Sequence, residues 1–138
     1  MRHIPRVRNA GMSLVEVVIT LAVFVVAGLG IVGAHFYSNQ LSEYATSSMR
    51  AVNDLEDIME RIHATPFDNL QATFPAGVPN GVGNAYAAIV GGYTLGSEQI
   101  TVTYPSVTTG RLEMVVTVNW TERLRQRSTS LSTVRTSG

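Results

Sequence analysis

The chain contains no cysteine and no lysine. Without a thiol it can build neither a disulfide framework nor a thiolate metal or redox centre. All ten basic residues are therefore arginine, and ten acidic residues balance them. That neutral sum gives no footprint for a nucleic-acid partner. Histidine is scarce: His3, His35 and His63 are all there is. No G-x-S-x-G, H-E-x-x-H or P-loop string occurs. The expectation is a protein with no catalytic residues, no cofactor and no metal. Proline is missing between Pro5 and Pro66, and charge is missing from Val17 through Ala34. These two absences leave room for one long, uninterrupted, apolar helix.

The uncharged run spans roughly 27 Å as a helix, at about 1.5 Å per residue. With Met12, Leu14 and Val15 added it reaches the roughly 30 Å of a bilayer core. Arg2, Arg6 and Arg8 precede it with no acid among residues 1–11. The positive-inside tendency then keeps residues 1–10 cytoplasmic and sends the C-terminal part outward. Glu16 is the lone carboxylate at the head of the run. An acid at mid-bilayer costs about 2.5–3.5 kcal/mol on insertion scales, so its presence there requires a reason.

One helix is predicted from Met12 to His63, with Ser13 as its cap and Pro66 beyond its end. The glycines Gly28, Gly30 and Gly33 each disfavour a helix interior by up to about 1 kcal/mol, so local loosening is expected near 28–33. After the membrane run, Ala45, Met49, Val52, Leu55, Met59 and Ile62 recur at helical spacing and form the expected packing stripe. Arg50, Asp54, Asp57 and Arg61 fall off that stripe. Arg50 with Asp54, and Asp57 with Arg61, are i,i+4 pairs of opposite sign. Residues 65–98 are rich in glycine, proline and asparagine. They read as loop, with a short strand expected near Tyr86–Val90 or Tyr93–Leu95. Three strands follow, over Gln99–Tyr104, Leu112–Thr121 and Ser128–Arg135. Their expected apolar positions are Ile100, Val102 and Tyr104, then Leu112, Met114, Val116, Val118 and Trp120, then Leu131 and Val134. Pro105–Gly110 and Arg123–Gln126 are short enough for hairpins. The fold class is α+β: a long N-terminal helix, apolar then amphipathic, packed on a C-terminal antiparallel sheet.

The string Gly11-Met12-Ser13-Leu14-Val15-Glu16-Val17-Val18, behind its basic leader, resembles the class III signal of type IV pilins and pseudopilins. The architecture from leader to C-terminal sheet is similar to that family as well. Residues 28–62 look closest to minor pilins of the PilV type. The resemblance implies a cleaved leader at 1–11, a transmembrane and filament-core half-helix at 12–35, and an amphipathic half at 36–64. It implies a loop region at 65–98 and a globular head of strands at 99–138. By resemblance, a prepilin peptidase cuts after Gly11 and N-methylates Met12, making Glu16 the fifth mature residue. The partners implied are that peptidase, other pilin or pseudopilin subunits, an inner-membrane assembly platform and membrane lipid. The subunit would be stored in the inner membrane and then join a filament shaft or tip. Pairing Glu16 with the Met12 amine of a neighbour would satisfy two charges that are costly in hydrocarbon and set the register between helices. Small residues, with Gly30 and Ala34 four apart, would allow close helix approach. Two relatives compete, a minor pilin and a minor pseudopilin of a type II secretion system. A membrane-anchored or secreted binding protein that never polymerises is the remaining class.

Other motifs compete for these residues. Gly28-Leu29-Gly30-Ile31-Val32-Gly33 matches G-x-G-x-x-G, with Asp54 downstream, but no alternating strand–helix units follow. Glu60-x-x-His63, near Glu56, resembles half a di-iron site whose other half is missing; an exposed polar face is the plainer reading. His35 reads as interfacial. Asn119-Trp120-Thr121 fits a glycosylation sequon within a strand, and Trp120 reads as core or sheet surface. Val32-Gly33-Ala34 fits an ordinary secretory cleavage site, whose product would start at His35.

Overall fold

A computed structural model of the chain describes residues 13–137. The fold is α+β, in the order long helix, short helical turns, three strands. Helix α1 runs from Leu14 to Ala64. The chain divides into two compact units, one ending at Leu41 and one running from Ser42 to Gly138. Helix α1 contributes residues to both.

Within the first unit the helix is regular. Ser13 precedes it, and the Ser13 carbonyl accepts the N–H groups of Glu16 (2.9 Å) and Val17 (3.2 Å). The glycines at 28, 30 and 33 do not interrupt it, so the loosening expected there is absent. The helical i→i−4 bonds satisfy these backbone groups within the segment. Residues 13–39 are exposed throughout.

The second unit carries the core. Ala51, Leu55, Ile58 and Ile62 of α1 are fully buried, together with Asp54 at 8% exposure. This is a different face from the expected one. Ala45 is exposed, Met49 is 68% exposed and Val52 38%. Leu55 and Ile62 belong to both faces, and Met59 is half-buried against the core. The sequence carries two overlapping apolar stripes. The core forms on the one containing Ala51.

Three antiparallel strands form the sheet in the order β1-β2-β3. Strand β1 is Gln99–Thr108, β2 is Arg111–Glu122 and β3 is Arg125–Thr136. Central strand β2 alternates as expected, with Leu112, Met114, Val116, Val118 and Trp120 buried. Ile100 and Val102 of β1 are buried beside them, and Tyr104 is partly buried. The register of β1 on β2 shifts between Thr103 and Ser106. Tyr104 and Pro105 therefore share one place, a bulge that lets the strand continue past the proline to Thr108. The hairpin turn shrinks to Thr109-Gly110, where Gly110 takes a φ of 76°. The second turn is Arg123-Leu124, both at positive φ (47° and 66°), the geometry that matches strand twist in a two-residue hairpin. Leu131 and Val134 depart from expectation. They stand on opposite faces of β3 and are 39% and 47% exposed: Leu131 is on the core face of an edge strand, and Val134 is on the face turned away from the core, opposite Glu113.

The segment from 65 to 98 is more ordered than its composition promised. A 3₁₀ turn at Phe67–Asn69 leads into α2 (Leu70–Thr73), and another at Val82–Asn84 leads into α3 (Ala85–Ile89). The short strand expected at Tyr86–Val90 is helical, and none forms at Tyr93–Leu95. Three alanines in α3 favour helix, and Tyr86 N–H donates to the Asn80 carbonyl at 3.1 Å. Leu70, Phe74 and Tyr86 complete the core, with Phe74 and Tyr86 rings 5.8 Å apart. The Tyr104 hydroxyl donates to the Phe74 carbonyl at 2.7 Å, satisfying an end of α2.

Candidate assembly site

Glu16 lies in the first turn of α1 and is exposed. The N-terminal end of a helix carries a partial positive charge, which favours a carboxylate there. Behind it, Thr20 Oγ1 donates to the Glu16 carbonyl at 2.7 Å, which keeps this hydroxyl satisfied in apolar surroundings. Gly11 and Met12, the expected cleavage site and new N-terminus, lie outside the described residues.

From Leu14 to Leu41 the large apolar side chains are between 51% and 81% exposed. Helix α1 is long and apolar enough to cross a membrane, by length and composition. A Cβ added at Gly28, Gly30 or Gly33 would meet nothing within 4 Å. Among the described residues no packing contact offsets the roughly 1 kcal/mol by which each glycine disfavours the helix. Gly30 and Ala34 are one helical turn apart, as expected.

The remaining motifs fall into place in the fold. The G-x-G-x-x-G string lies in mid-helix, with helix directly before it, so it lacks the strand-to-helix turn that a dinucleotide pyrophosphate needs. Glu56, Glu60, His63 and His35 are exposed along α1. Asn119 is half-buried in β2, between Gln99 and Ser128 on the neighbouring strands. Trp120 is a core residue, 4% exposed.

The ion pairs expected along α1 do not form. Among the described residues the one salt bridge joins Arg123 to Glu43, and it is exposed. Nearby, Ser47 Oγ donates to Glu122 at 3.0 Å, and the Arg127 guanidinium lies 4.8 Å above the Tyr44 ring. Asp54 faces inward instead of toward Arg50. It meets Glu98, itself only 6% exposed. Glu98 Oε2 accepts the N–H groups of Thr94 and Leu95, each at 3.0 Å. Burial, then the Glu98 charge and a side-chain hydrogen bond to it, push Asp54 up to about 7. A protonated Asp54 supplies the hydrogen that contact between two carboxyl groups requires. Sequence reasoning missed this pair, because Asp54 also fits an i,i+4 partner of Arg50. Its signal was the second stripe: Asp54 falls three residues after Ala51 and four before Ile58.

Comparison with protein-family models, with curated proteins and with solved structures gives no match.

Proposed function

We propose that this protein is a structural, non-enzymatic subunit of a type IV pilus, a minor pilin, that polymerises through the apolar half of α1. One observation carries the reading: a single carboxylate, Glu16, heads an apolar helix whose every side chain to residue 39 is exposed. A simple membrane anchor has no use for that acid. A packed helical array has one, because the processed amine of an adjoining subunit neutralises it. Three features of the chain support the proposal. The apolar length suits storage in an inner membrane. The uncompensated glycines suit close approach by other helices. The helix also continues unbroken through Ala34, as a filament-core helix requires. The basic leader sets the N-terminus on the cytoplasmic side and the sheet-bearing unit on the other. A pseudopilus of a type II secretion system would use the same helix in the same way.

The test combines processing with assembly. Mass spectrometry of the mature protein should find a methylated N-terminus at Met12. Glu16→Ala should leave the protein in the membrane fraction and remove it from sheared filaments. A mature N-terminus at His35, or normal filament content of the variant, would overturn the proposal.

A further inference from the structure

The two edges of the sheet are treated differently. The outer edge of β1 is closed. Gly77 N–H donates to the Val102 carbonyl (2.8 Å), Asn80 N–H to the Ile100 carbonyl (2.7 Å), and Ile100 N–H to Asn80 Oδ1 (2.8 Å). The bulge at Pro105 breaks what remains of that edge. Strand β3 has no such protection. It pairs with β2 residue for residue from Arg125 to Thr136, without a register shift, and contains neither proline nor lysine. Among the described residues no backbone hydrogen bond from 125–136 reaches outside the sheet. A long, regular, unblocked edge is a template for another strand.

Charge selects the occupant. Arg125, Arg127 and Arg135 alternate onto the helix-facing side of β3, and the strand carries no acid. A second copy of β3 laid antiparallel and centred on Leu131 would set Arg127 against Arg135 twice, and like charges opposite each other oppose pairing. Carboxylates on an incoming strand would meet attraction instead. The Nε atoms of Arg127 and Arg135 are buried without a partner, although Arg135 Nη2 donates to the Thr65 carbonyl at 3.3 Å. Leu131, between these arginines and 39% exposed, would gain cover from the same strand.

We propose that the free edge of β3 is a docking site for an extended segment of another protein, bearing carboxylates at alternate positions, which adds to the sheet as a fourth strand. This assignment does not depend on polymerisation through α1. The experiment titrates the full chain, in detergent micelles, with two short peptides, one alternating threonine with glutamate and one alternating threonine with lysine. Amide hydrogen exchange is read along both edge strands. The glutamate peptide should slow exchange at alternate residues of Arg125–Thr136, leave β1 unchanged, and bind about tenfold more weakly to Arg125→Glu. Thermal unfolding of that variant checks that its fold is intact; if it is not, the exchange map of the unsubstituted chain decides. Equal binding of the lysine peptide, unchanged exchange in β3, or self-association that protects β3 without peptide would each overturn the proposal.

Discussion

Asp54 occupies a helix position that faces a hydrophobic core, where an ionised carboxyl is disfavoured. Its carboxyl group keeps its proton up to about pH 7, against 3.8 for an unburied aspartate. Between those values the unfolded chain has lost the proton and the native chain has kept it. Stability contributed by this group therefore falls as pH rises from about 4 to about 7, and is level above that. Asp54→Asn should remove the slope. The difference in unfolding free energy between variant and parent should shift in the variant's favour across that window, by up to about 1.4 kcal/mol per pH unit. Denaturant titrations at several pH values measure it, and a constant difference would show that the pair is not coupled to folding. Gly81 supplies a second test at this scale. Its φ is 73°, and an added Cβ would stand 2.7 Å from Cε1 of the buried Tyr86 ring. Strain and overpacking act together there, so Gly81→Ala should destabilise the fold by about 2–4 kcal/mol. A lowered denaturation midpoint with an unchanged slope is the expected result.

At the scale of the element, α1 is one hydrogen-bonded helix serving two environments. Its C-terminal part is stabilised by Ala51, Leu55, Ile58 and Ile62 against the sheet. Among the described residues its N-terminal part, exposed from 13 to 39, has no packing partner, so propensity and surroundings decide its order. Replacing Gly28, Gly30 and Gly33 together by alanine should raise the helical content of the isolated subunit in detergent, since no Cβ clash opposes it and each change favours helix by about 1 kcal/mol. The same variant should enter filaments poorly if those glycines form contact surfaces with other subunits. Circular dichroism gives the first readout, and subunit content of sheared filaments gives the second. An unaltered filament content would show that the glycines face no close neighbour.

For the molecule as a whole, every fully buried side chain among the described residues falls between Ala51 and Val118, inside the unit that begins at Ser42. A chain starting at Ser42 should therefore remain soluble and unfold cooperatively, because it keeps its entire core. A calorimetric transition with matching calorimetric and van't Hoff enthalpies is the expected observation. A molten profile would mean that residues before Ser42 contribute to the head's stability.

The sequence by itself determined the α+β class, the uninterrupted helix and the strand β2. Each of these rests on local periodicity: no proline over residues 6–65, and strict alternation through Leu112, Met114, Val116, Val118 and Trp120. Glu16 was legible for the same reason, as a lone charge in an apolar run. Tertiary structure decided the rest. The face of α1 that is buried depended on where the sheet sits, since two stripes satisfied the same period. Asp54 and Glu98 meet across 44 residues, a separation that no local pattern encodes. In the loop segment α3 follows Asn80, Gly81 and Asn84, which take positive φ. Leu131 and Val134 were apolar by composition yet stayed exposed, Leu131 because strand order placed β3 at an edge and Val134 because it lies on the face away from the core. Local chemistry chooses an element from neighbours along the chain, whereas burial follows from neighbours that only folding brings together.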